Sequence, residues 1–382
     1  MNGYFDYNAT TPLHPAARAA WLETTDRLWQ NPSSLYREAG AARRKLEDCR
    51  EHIADRIGCG AEDIIFLSGA TEANNAVIAH AAAGGFGSIA VSALEHPCVL
   101  EPAAHLFPER RTHIPVTPDG VVDLSVLEEI LATQRPGMVA LMAANNETGV
   151  LQPWQDALAL CRRHGALFHC DAAQWIGKKP SAGLGACDFL TGSAHKFGGP
   201  KGIGFLKVPE GGRPFRSLRG GPQEERRRAG TENVPAVAAM VAAWEAVEAD
   251  LATLETSRLA ARRVFEERIK TVIPGVHLIA EVSDRLWNTV TLTVPPPANV
   301  KWLTRLSAQG FAVSTGSACS RGAGASEVLV AMGLPHERSG QVLRLSGGWE
   351  TTAEDWVALA KAFRVVAEAG DRPPATQKGI HC

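Results

Sequence analysis

The 382-residue sequence lacks the features of a membrane protein or a disulfide-rich secreted domain. It has no run of about 18 apolar residues, because the most apolar stretch, residues 76–91, is interrupted by His80 and by glycines. The first ten residues have neither a basic start nor an apolar core, so we expect no signal peptide. None of the eight cysteines forms a Cys-x-x-Cys pair, which argues against a zinc knuckle and favours a reducing cytoplasm.

The sequence also lacks an excess of either charge. It has 39 Lys and Arg against 41 Asp and Glu, a formal net charge of −2, so we expect no direct nucleic-acid partner. Hydrophobic residues make up 45% and charged residues 21%, which is typical of a soluble globular enzyme rather than a disordered chain. The length exceeds what one hydrophobic core usually supports and therefore predicts two domains.

What the first part of the chain does contain is an alternation of helical and strand-like segments. One apolar helical stripe consists of Ala42, Leu46, Cys49, Ile53 and Ile57. The predicted strands are residues 63–67, 88–92, 113–116, 138–144, 166–169, 188–191 and 203–208. The predicted helices between them include residues 71–83, 125–132 and 154–164. This alternation predicts a mostly parallel sheet with helices on both faces.

The pattern changes after about residue 233. A long helical stretch, rich in Ala, Glu and Arg, is predicted to run to about residue 269. Predicted strands at 289–294, 311–314 and 341–346, with helices at 301–309 and 353–367, indicate a smaller α/β domain. We place the large domain at 16–245, the small domain at 1–15 and 246–370, and a loose tail at 371–382.

Two strand-like runs end in residues that carry chemistry. Lys196 lies beside glycines in the segment 193–202, SAHKFGGPKG. An amine at the carboxyl edge of a sheet can form a Schiff base with an aldehyde cofactor, although a solvated surface lysine is the alternative. Asp171 ends another buried-looking strand, where an aspartate can bind a protonated pyridine nitrogen. A helix cap or a buried ion pair is the alternative for this residue.

A third segment, residues 68–75 with the sequence SGATEANN, lies between a predicted strand and a predicted helix. Its small residues leave backbone N–H groups at a helix start, which suits a phosphate, although capping by Ser68 or Thr71 is an alternative. The order of the parts is more specific than any one of them. Along the chain follow the phosphate turn, His96, Asn145-Asn146, Asp171 with Gln174, and Lys196.

This set of motifs resembles the class V aminotransferase branch of fold-type I pyridoxal-phosphate (PLP) enzymes, and within it the cysteine desulfurases of the NifS/IscS type. The motifs that carry the resemblance are residues 7–12 (YNATTP), 31–34 (NPSS), 68–75, 145–149 (NNETG), 193–196 (SAHK), 228–233 (RAGTEN), 314–319 (STGSAC) and 344–346 (RLS). The resemblance implies a fold-type I PLP-dependent transferase. Its large domain would hold a mostly parallel seven-stranded sheet, and its smaller α/β C-terminal domain would carry the loop with Cys319.

The resemblance implies cofactor contacts for the matching residues. Lys196 would hold PLP covalently and later move the substrate Cα proton. His96 would stack on the ring and relay a proton, Asp171 would pair with the pyridine nitrogen, and Gln174 would contact the ring hydroxyl. The phosphate would be held by Ala70, Thr71, Ser193 and His195. In a homodimer, Thr231 would reach the phosphate bound by the partner subunit.

The resemblance also implies substrate contacts. Arg344 would bind the carboxylate of L-cysteine, since a guanidinium forms two parallel hydrogen bonds with a carboxylate; a structural ion pair is the alternative. Asn146 would lie beside both the cofactor and the substrate carboxylate, and Asn8 would lie beside the substrate. Cys319, in a Gly- and Ala-rich loop near Arg321, would take the substrate sulfur as a persulfide and leave L-alanine. A free surface cysteine is the alternative for Cys319.

Two other functions stay open at this stage. Another class V enzyme, such as a selenocysteine lyase, a C–S lyase or an aminotransferase, would use the same lysine, aspartate and arginine. A C–S lyase or an aminotransferase would need no persulfide. A non-catalytic protein on this fold is disfavoured by the presence of Lys196. The expected partners are L-cysteine, a second copy of the chain, and a protein sulfur acceptor such as an iron–sulfur scaffold or a thiolation relay. We expect neither a metal nor a membrane partner.

Overall fold

The computed structural model describes residues 3–209, 215–316 and 326–369. Cys319, Arg321 and the predicted tail 371–382 lie outside the described residues. Within the described ranges, no helix combines the length and the apolar character that crossing a bilayer requires.

The centre of the molecule is a seven-stranded sheet. The strands of the described residues are β1 (Gly3–Tyr4), β2 (Ile64–Leu67), β3 (Ile89–Ser92), β4 (Arg111–Ile114), β5 (Met138–Ala140), β6 (Leu167–Asp171), β7 (Phe189–Ser193), β8 (Gly204–Lys207), β9 (His277–Leu278), β10 (Thr289–Thr293), β11 (Phe311–Ala312) and β12 (Val342–Ser346). The large sheet has the order β2-β8-β7-β6-β5-β3-β4. Only β8 runs antiparallel to its neighbours. The predicted mostly parallel seven-stranded sheet is therefore confirmed.

Helices follow most of these strands. In the described residues they are α1 (Pro15–Arg27), α2 (Arg37–Ile57), α3 (Ala70–Ala83), α4 (Pro97–Leu106), α5 (Leu124–Thr133), α6 (Trp154–His164), α7 (Val234–Ala249), α8 (Leu251–Val272), α9 (Asn299–Ala308), α10 (Glu327–Ala331) and α11 (Ala353–Glu368). All five positions of the predicted apolar stripe on α2 are buried, as the helical spacing required. The helix ends at Gly58, whose φ of 80° lies in the left-handed region that glycine tolerates.

The prediction of one long helix from 233 to 269 is wrong in one respect. The structure divides it into α7 and α8, with Asp250 between them at φ −95° and ψ 0°. Aspartate is a weak helix former because its short side chain competes for backbone hydrogen bonds, which favours a break at this position.

A second layer packs beside the large sheet. Strands β12, β10 and β9 form an antiparallel sheet, and β1 pairs with β11. Its core includes Phe5, Phe265, Trp356 and Phe363, with the ring centroids of Phe5 and Trp356 4.7 Å apart. The N-terminal strand thus packs with elements from the end of the chain. The domain boundaries given above stay a prediction.

The topology places several predicted site residues at one edge of the large sheet. Strands β6 and β7 are parallel, so Asp171 and Ser193 end at the same side. Strand β2 has the same direction, because β8 is antiparallel to both β2 and β7, and α3 starts after it at Ala70. Crevices beyond the carboxyl ends of parallel strands are the usual ligand sites of such sheets.

Candidate active site

A cavity of about 760 Å³ opens at this edge. The predicted site residues among its lining are Asn8, Ala70, Thr71, His96, Asn146, Asp171, Gln174, Ser193, His195, Lys196 and Arg344. Thr231 is not part of the lining; it lies exposed just before α7. Residues that are more than 300 positions apart in sequence therefore share one cavity.

One end of the cavity is the start of α3. Gly69 precedes the helix with a φ of 146°, and no side chain caps the helix, so the capping alternative is not what the structure contains. The first intrahelical donor is the N–H of Ala73, which leaves the N–H groups of Ala70 and Thr71 without an intrahelical carbonyl. A methyl group on Gly69 would lie 3.5 Å from Ser193 Oγ, an ordinary contact distance, so it is the φ of 146° that favours glycine at this position. This helix start suits a phosphate.

Asp171 is buried and held in place by two hydrogen bonds. Its Oδ1 accepts from the N–H of Ala173 at 2.9 Å, and its Oδ2 accepts from Asn74 Nδ2 at 2.7 Å. The side-chain oxygen of Asn74 in turn lies 3.1 Å from Nε2 of His169. Because Nδ2 of Asn74 donates to Asp171, its oxygen must accept from His169. Asn74 and His169 therefore fix the carboxylate that faces the cavity.

The buried His169 predicts a pH dependence of stability. Burial lowers the pKa of His169 to about 4, from about 6.5 in an unfolded chain. The unfolded state therefore binds a proton first as the pH falls from 6.5 towards 4, and the folded state loses stability in that window. Between pH 7 and 5 we expect this group to remove about 2 kcal/mol from the free energy of unfolding. Between pH 7 and 5, the free energy of unfolding of His169→Gln should fall by about 2 kcal/mol less than that of the unmodified chain, as measured by urea unfolding at both pH values.

The control for this prediction is His164→Gln at an exposed position on α6. Its side chain stays in solvent in both states, so the pH dependence should match that of the unmodified chain. An equal loss of stability in His169→Gln and the unmodified chain would contradict the assignment.

His96 enters the cavity as the residue that caps α4. Its Nδ1 accepts from the N–H of Cys98 at 3.1 Å, so the proton of the neutral ring is carried by Nε2. Burial lowers the pKa of His96, with opposing effects from Asp171 and Lys196, so the ring is neutral at pH 7. Cys98 Sγ lies 3.0 Å from the same Nδ1, and burial followed by the charge of Asp171 raises the pKa of this thiol to about 12.

The amine of Lys196 lies against the N-terminal segment. Its Nζ donates to the carbonyl oxygens of Asn8 at 2.6 Å and Ala9 at 2.9 Å. Nε2 of Gln174 donates to the same Asn8 oxygen at 3.0 Å. The three polar groups therefore meet at one point of the cavity wall.

Arg344 also lines the cavity. Its side chain is 2% exposed, its Nη2 forms an ion pair with Asp6 Oδ1 at 2.6 Å, and its Nη1 donates to the carbonyl of Asn146 at 3.1 Å. The buried Nε has no partner among the described residues. The structural acid that was the alternative for Arg344 does exist, but the ion pair and the bond to Asn146 use only two of the five N–H donors of the guanidinium.

Asn8 holds this part of the cavity together. Its Nδ2 donates to the carbonyl of Asn146 at 3.1 Å and to Thr289 Oγ1 at 2.9 Å, and its Oδ1 accepts from Asn288 at 3.0 Å. The side chain is thus fully engaged with the protein. A direct contact between Asn8 and the substrate stays a prediction.

Arg344→Lys should lower kcat/KM by roughly 10- to 100-fold, mostly through KM, because hydrogen bonds to charged groups contribute about 1.5–3 kcal/mol. A lysine has a single ammonium group instead of a planar guanidinium, so it cannot bind Asp6, the Asn146 carbonyl and a carboxylate at the same time. Steady-state kinetics with L-cysteine would measure the change. The matched control is Arg285→Lys, a side chain 2% exposed that pairs with Glu266 at 2.8 Å and does not line the cavity. Equal KM values for the two variants would contradict the role of Arg344.

Glu147 contacts both flanks of the segment that contains Cys319. Its Oε2 accepts from Ser326 Oγ at 2.7 Å, and a methyl group on Gly316 would come within 3.3 Å of the same atom. Burial raises the pKa of Glu147. One buried carboxyl group therefore lies beside the last described residue before the segment and the first one after it.

Several residues of the site were not found from the sequence. They are Asp6, Asn74, Glu95, Cys98, Glu147 and Lys178. Glu95 is buried next to His96, and burial with the charge of Asp171 raises its pKa to about 8, so it adds no second full charge there at pH 7. Only Asn74, in the segment 68–75, and Glu147, in the motif 145–149, carried a signal in sequence.

The cavity and fold can now be compared with known proteins. The family model for aminotransferase class-V matches residues 3–359. The chain belongs to this family. Class-V relatives include a cysteine desulfurase from Rhodobacter capsulatus, 39% identical over 96% of this chain and 95% of the relative. Cysteine desulfurase IscS from Dictyoglomus turgidum is 36% identical over 92% of this chain and 91% of its own.

The comparison with solved structures agrees with this result. A NifS-like protein superposes with a TM-score of 0.90 at 29% identity, over 96% of this chain and 100% of that one. The predicted family and the fold-type I architecture are therefore confirmed. The roles of the individual site residues stay predictions.

Proposed function

We propose that this class-V chain is a PLP-dependent cysteine desulfurase that converts L-cysteine to L-alanine and passes the sulfur to Cys319. The observation that carries the proposal is that Arg344 lines the same cavity as Lys196 and Asp171. A guanidinium in a cavity that also holds an amine and a buried carboxylate suits the carboxylate of an amino acid.

The residues of the cavity fit PLP. The start of α3, with Ser193 and His195, offers donors to a phosphate, the buried Asp171 suits a pyridinium nitrogen, and Lys196 offers an amine for covalent attachment. Bound there, PLP would supply an electron sink for the substrate Cα.

The side chains of the chain would carry out the remaining tasks. Arg344 would orient the substrate through its carboxylate, and Lys196 Nζ would take and return the proton at Cα. The proton of the neutral His96 ring is on Nε2, because its Nδ1 accepts from the N–H of Cys98. His96 would donate this Nε2 proton to the product. The cavity wall around these groups would limit access of water.

Cys319 would act on the substrate sulfur. Its thiolate sulfur bonds to the sulfur of cysteine while the Cβ–S bond breaks, and the electron pair stays on Cβ. Protonation of Cβ gives the methyl group of L-alanine, and Cys319 keeps the sulfur as a persulfide. A thiolate of an acceptor protein, such as an iron–sulfur scaffold or a thiolation relay, would then take the terminal sulfur.

We also propose a homodimer in a reducing cytoplasm. The exposed position of Thr231, outside its own cavity, supports a contact with the phosphate bound by a partner subunit. The described cysteines are all free, including the buried Cys49, Cys161 and Cys170, which suits a reducing compartment.

A single-turnover reaction with L-cysteine tests the function. Intact-mass spectrometry without reductant should show one added sulfur on the peptide that contains Cys319, with one L-alanine formed per sulfur. Alanine or pyruvate without added sulfur would contradict the proposal and indicate a lyase. Transfer of the amino group to a keto acid without sulfur would indicate an aminotransferase.

A further inference from the structure

Lys178 is a buried lysine in the turn that follows Asp171 and Gln174. It is 4% exposed, and its Nζ donates to Gln174 Oε1 at 2.9 Å and to the Gln174 carbonyl at 3.3 Å. No carboxylate of the described residues forms an ion pair with it, although burying an unpaired ammonium is costly. A structural salt bridge therefore does not explain why an amine is present here.

The place of Lys178 is fixed by its surroundings. Trp287 Nε1 donates to the Lys178 carbonyl at 3.0 Å, and the preceding Gly177 has a φ of 74°. A methyl group on Gly177 would come within 2.5 Å of Phe197 Cβ, so this turn packs tightly against the segment that carries Lys196. Burial, with the charges of Lys196 and Arg344, lowers the pKa of Lys178 to about 7.

The contact with Lys178 decides how the side-chain amide of Gln174 is turned. The protonated form of Lys178 has N–H donors and no acceptor, and in this form it selects the oxygen of the amide. The NH₂ group then lies on the opposite side, where Nε2 donates to the carbonyl of Asn8 at 3.0 Å. That carbonyl also accepts from Lys196 Nζ at 2.6 Å, so the amide donor lies on the side of the reactive amine.

We propose that Lys178 is a positioning residue that holds Gln174 with its NH₂ group towards the cavity, ready to donate to the ring hydroxyl of the cofactor. The inference rests on the proposed PLP site. A flipped amide would place its oxygen against the Asn8 carbonyl and against the ring oxygen, and both contacts would be repulsive.

The test is a double-mutant cycle with Lys178→Met, Gln174→Met and the double variant. Each substitution keeps an unbranched side chain and removes the hydrogen bond. PLP affinity, measured by titration of the visible absorbance, should fall about tenfold in either single variant, and the absorbance maximum of bound PLP should shift in both. The double variant should bind PLP no more weakly than Gln174→Met, because Lys178 acts through Gln174.

Two controls accompany the cycle. Lys207→Met removes another buried lysine, whose Nζ donates to the Cys187 carbonyl at 2.9 Å. Lys207 does not line the cavity, so this variant should leave PLP affinity unchanged. Gln174→Glu keeps an acceptor for Lys178 but removes the NH₂ donor. It should weaken PLP binding about tenfold, because the carboxylate offers no donor to the ring hydroxyl, and so tests the donor even where Lys178→Met fails to fold.

Three outcomes would overturn the inference: unchanged PLP affinity in Lys178→Met, unchanged affinity in Gln174→Glu, or additive losses in the double variant. Additive losses would mean that the amine acts through packing or charge. Absence of PLP binding by the unmodified chain would instead contradict the proposed function.

Discussion

Replacing Cys319 by serine should abolish persulfide formation while PLP binding stays unchanged. A hydroxyl cannot take up sulfane sulfur, and no other group in the proposed chemistry accepts it. Alanine formation from L-cysteine should fall at least about 10³-fold, since removal of a covalent nucleophile is among the most damaging changes to an enzyme. Single-turnover mass spectrometry and alanine measurement would record both losses, and full-rate formation of persulfide and alanine would refute the role of Cys319.

The matched control is Cys98→Ser. Cys98 lines the cavity, but burial raises its thiol pKa to about 12, so it is a poor nucleophile at neutral pH. Serine can replace its contacts with His96 and with Asn74 Nδ2, which lies 3.1 Å from Sγ. Cys98→Ser should therefore still form a persulfide on Cys319. Sulfur mapped to Cys98 in the unmodified chain or in Cys319→Ser would contradict this interpretation.

Lys196→Met should reduce kcat for alanine formation by roughly 10²- to 10⁴-fold, the range expected for loss of a positioned acid–base group. The variant also loses the amine for covalent attachment, so PLP should dissociate more readily. Steady-state kinetics in excess PLP would separate slower turnover from loss of cofactor.

Lys207→Met is the matched control, because it removes a buried lysine on β8 that does not line the cavity. We expect its kcat to stay close to that of the unmodified chain. A similar loss in both variants would assign the effect of Lys196→Met to stability rather than to chemistry.

Periodic and local patterns made much of the fold predictable. The stripe from Ala42 to Ile57 repeats every three or four residues, so it marked the buried face of α2 without knowledge of its neighbours. The strands of the large sheet are short apolar runs between turn residues, and each was found close to its position. Helices α1 and α4 were not predicted; α1 is rich in alanine and polar residues, and α4 contains Pro102.

The site was predictable only where a motif marks it. Asp171 and Lys196 follow strands, and parallel strands bring their carboxyl ends to one edge. The Asp6–Arg344 ion pair joins residues 338 positions apart, and no local pattern reports such a contact. No motif in the sequence marks Lys178, because its burial depends on how the turn after β6 packs against Phe197 and Trp287.

Glu147 has a consequence for how this scaffold can diversify. Gly316 and Ser326 lie against the same carboxyl oxygen, so the nine positions between them start and finish at nearly one place. A segment with neighbouring anchor points can be lengthened, shortened or exchanged at small entropic cost, since each doubling of loop length adds only about 0.6 kcal/mol. Natural or engineered variants could thus acquire new sulfur acceptors by exchange of the positions around Cys319 in the segment 317–325, with Cys319 and the cavity residues kept as they are.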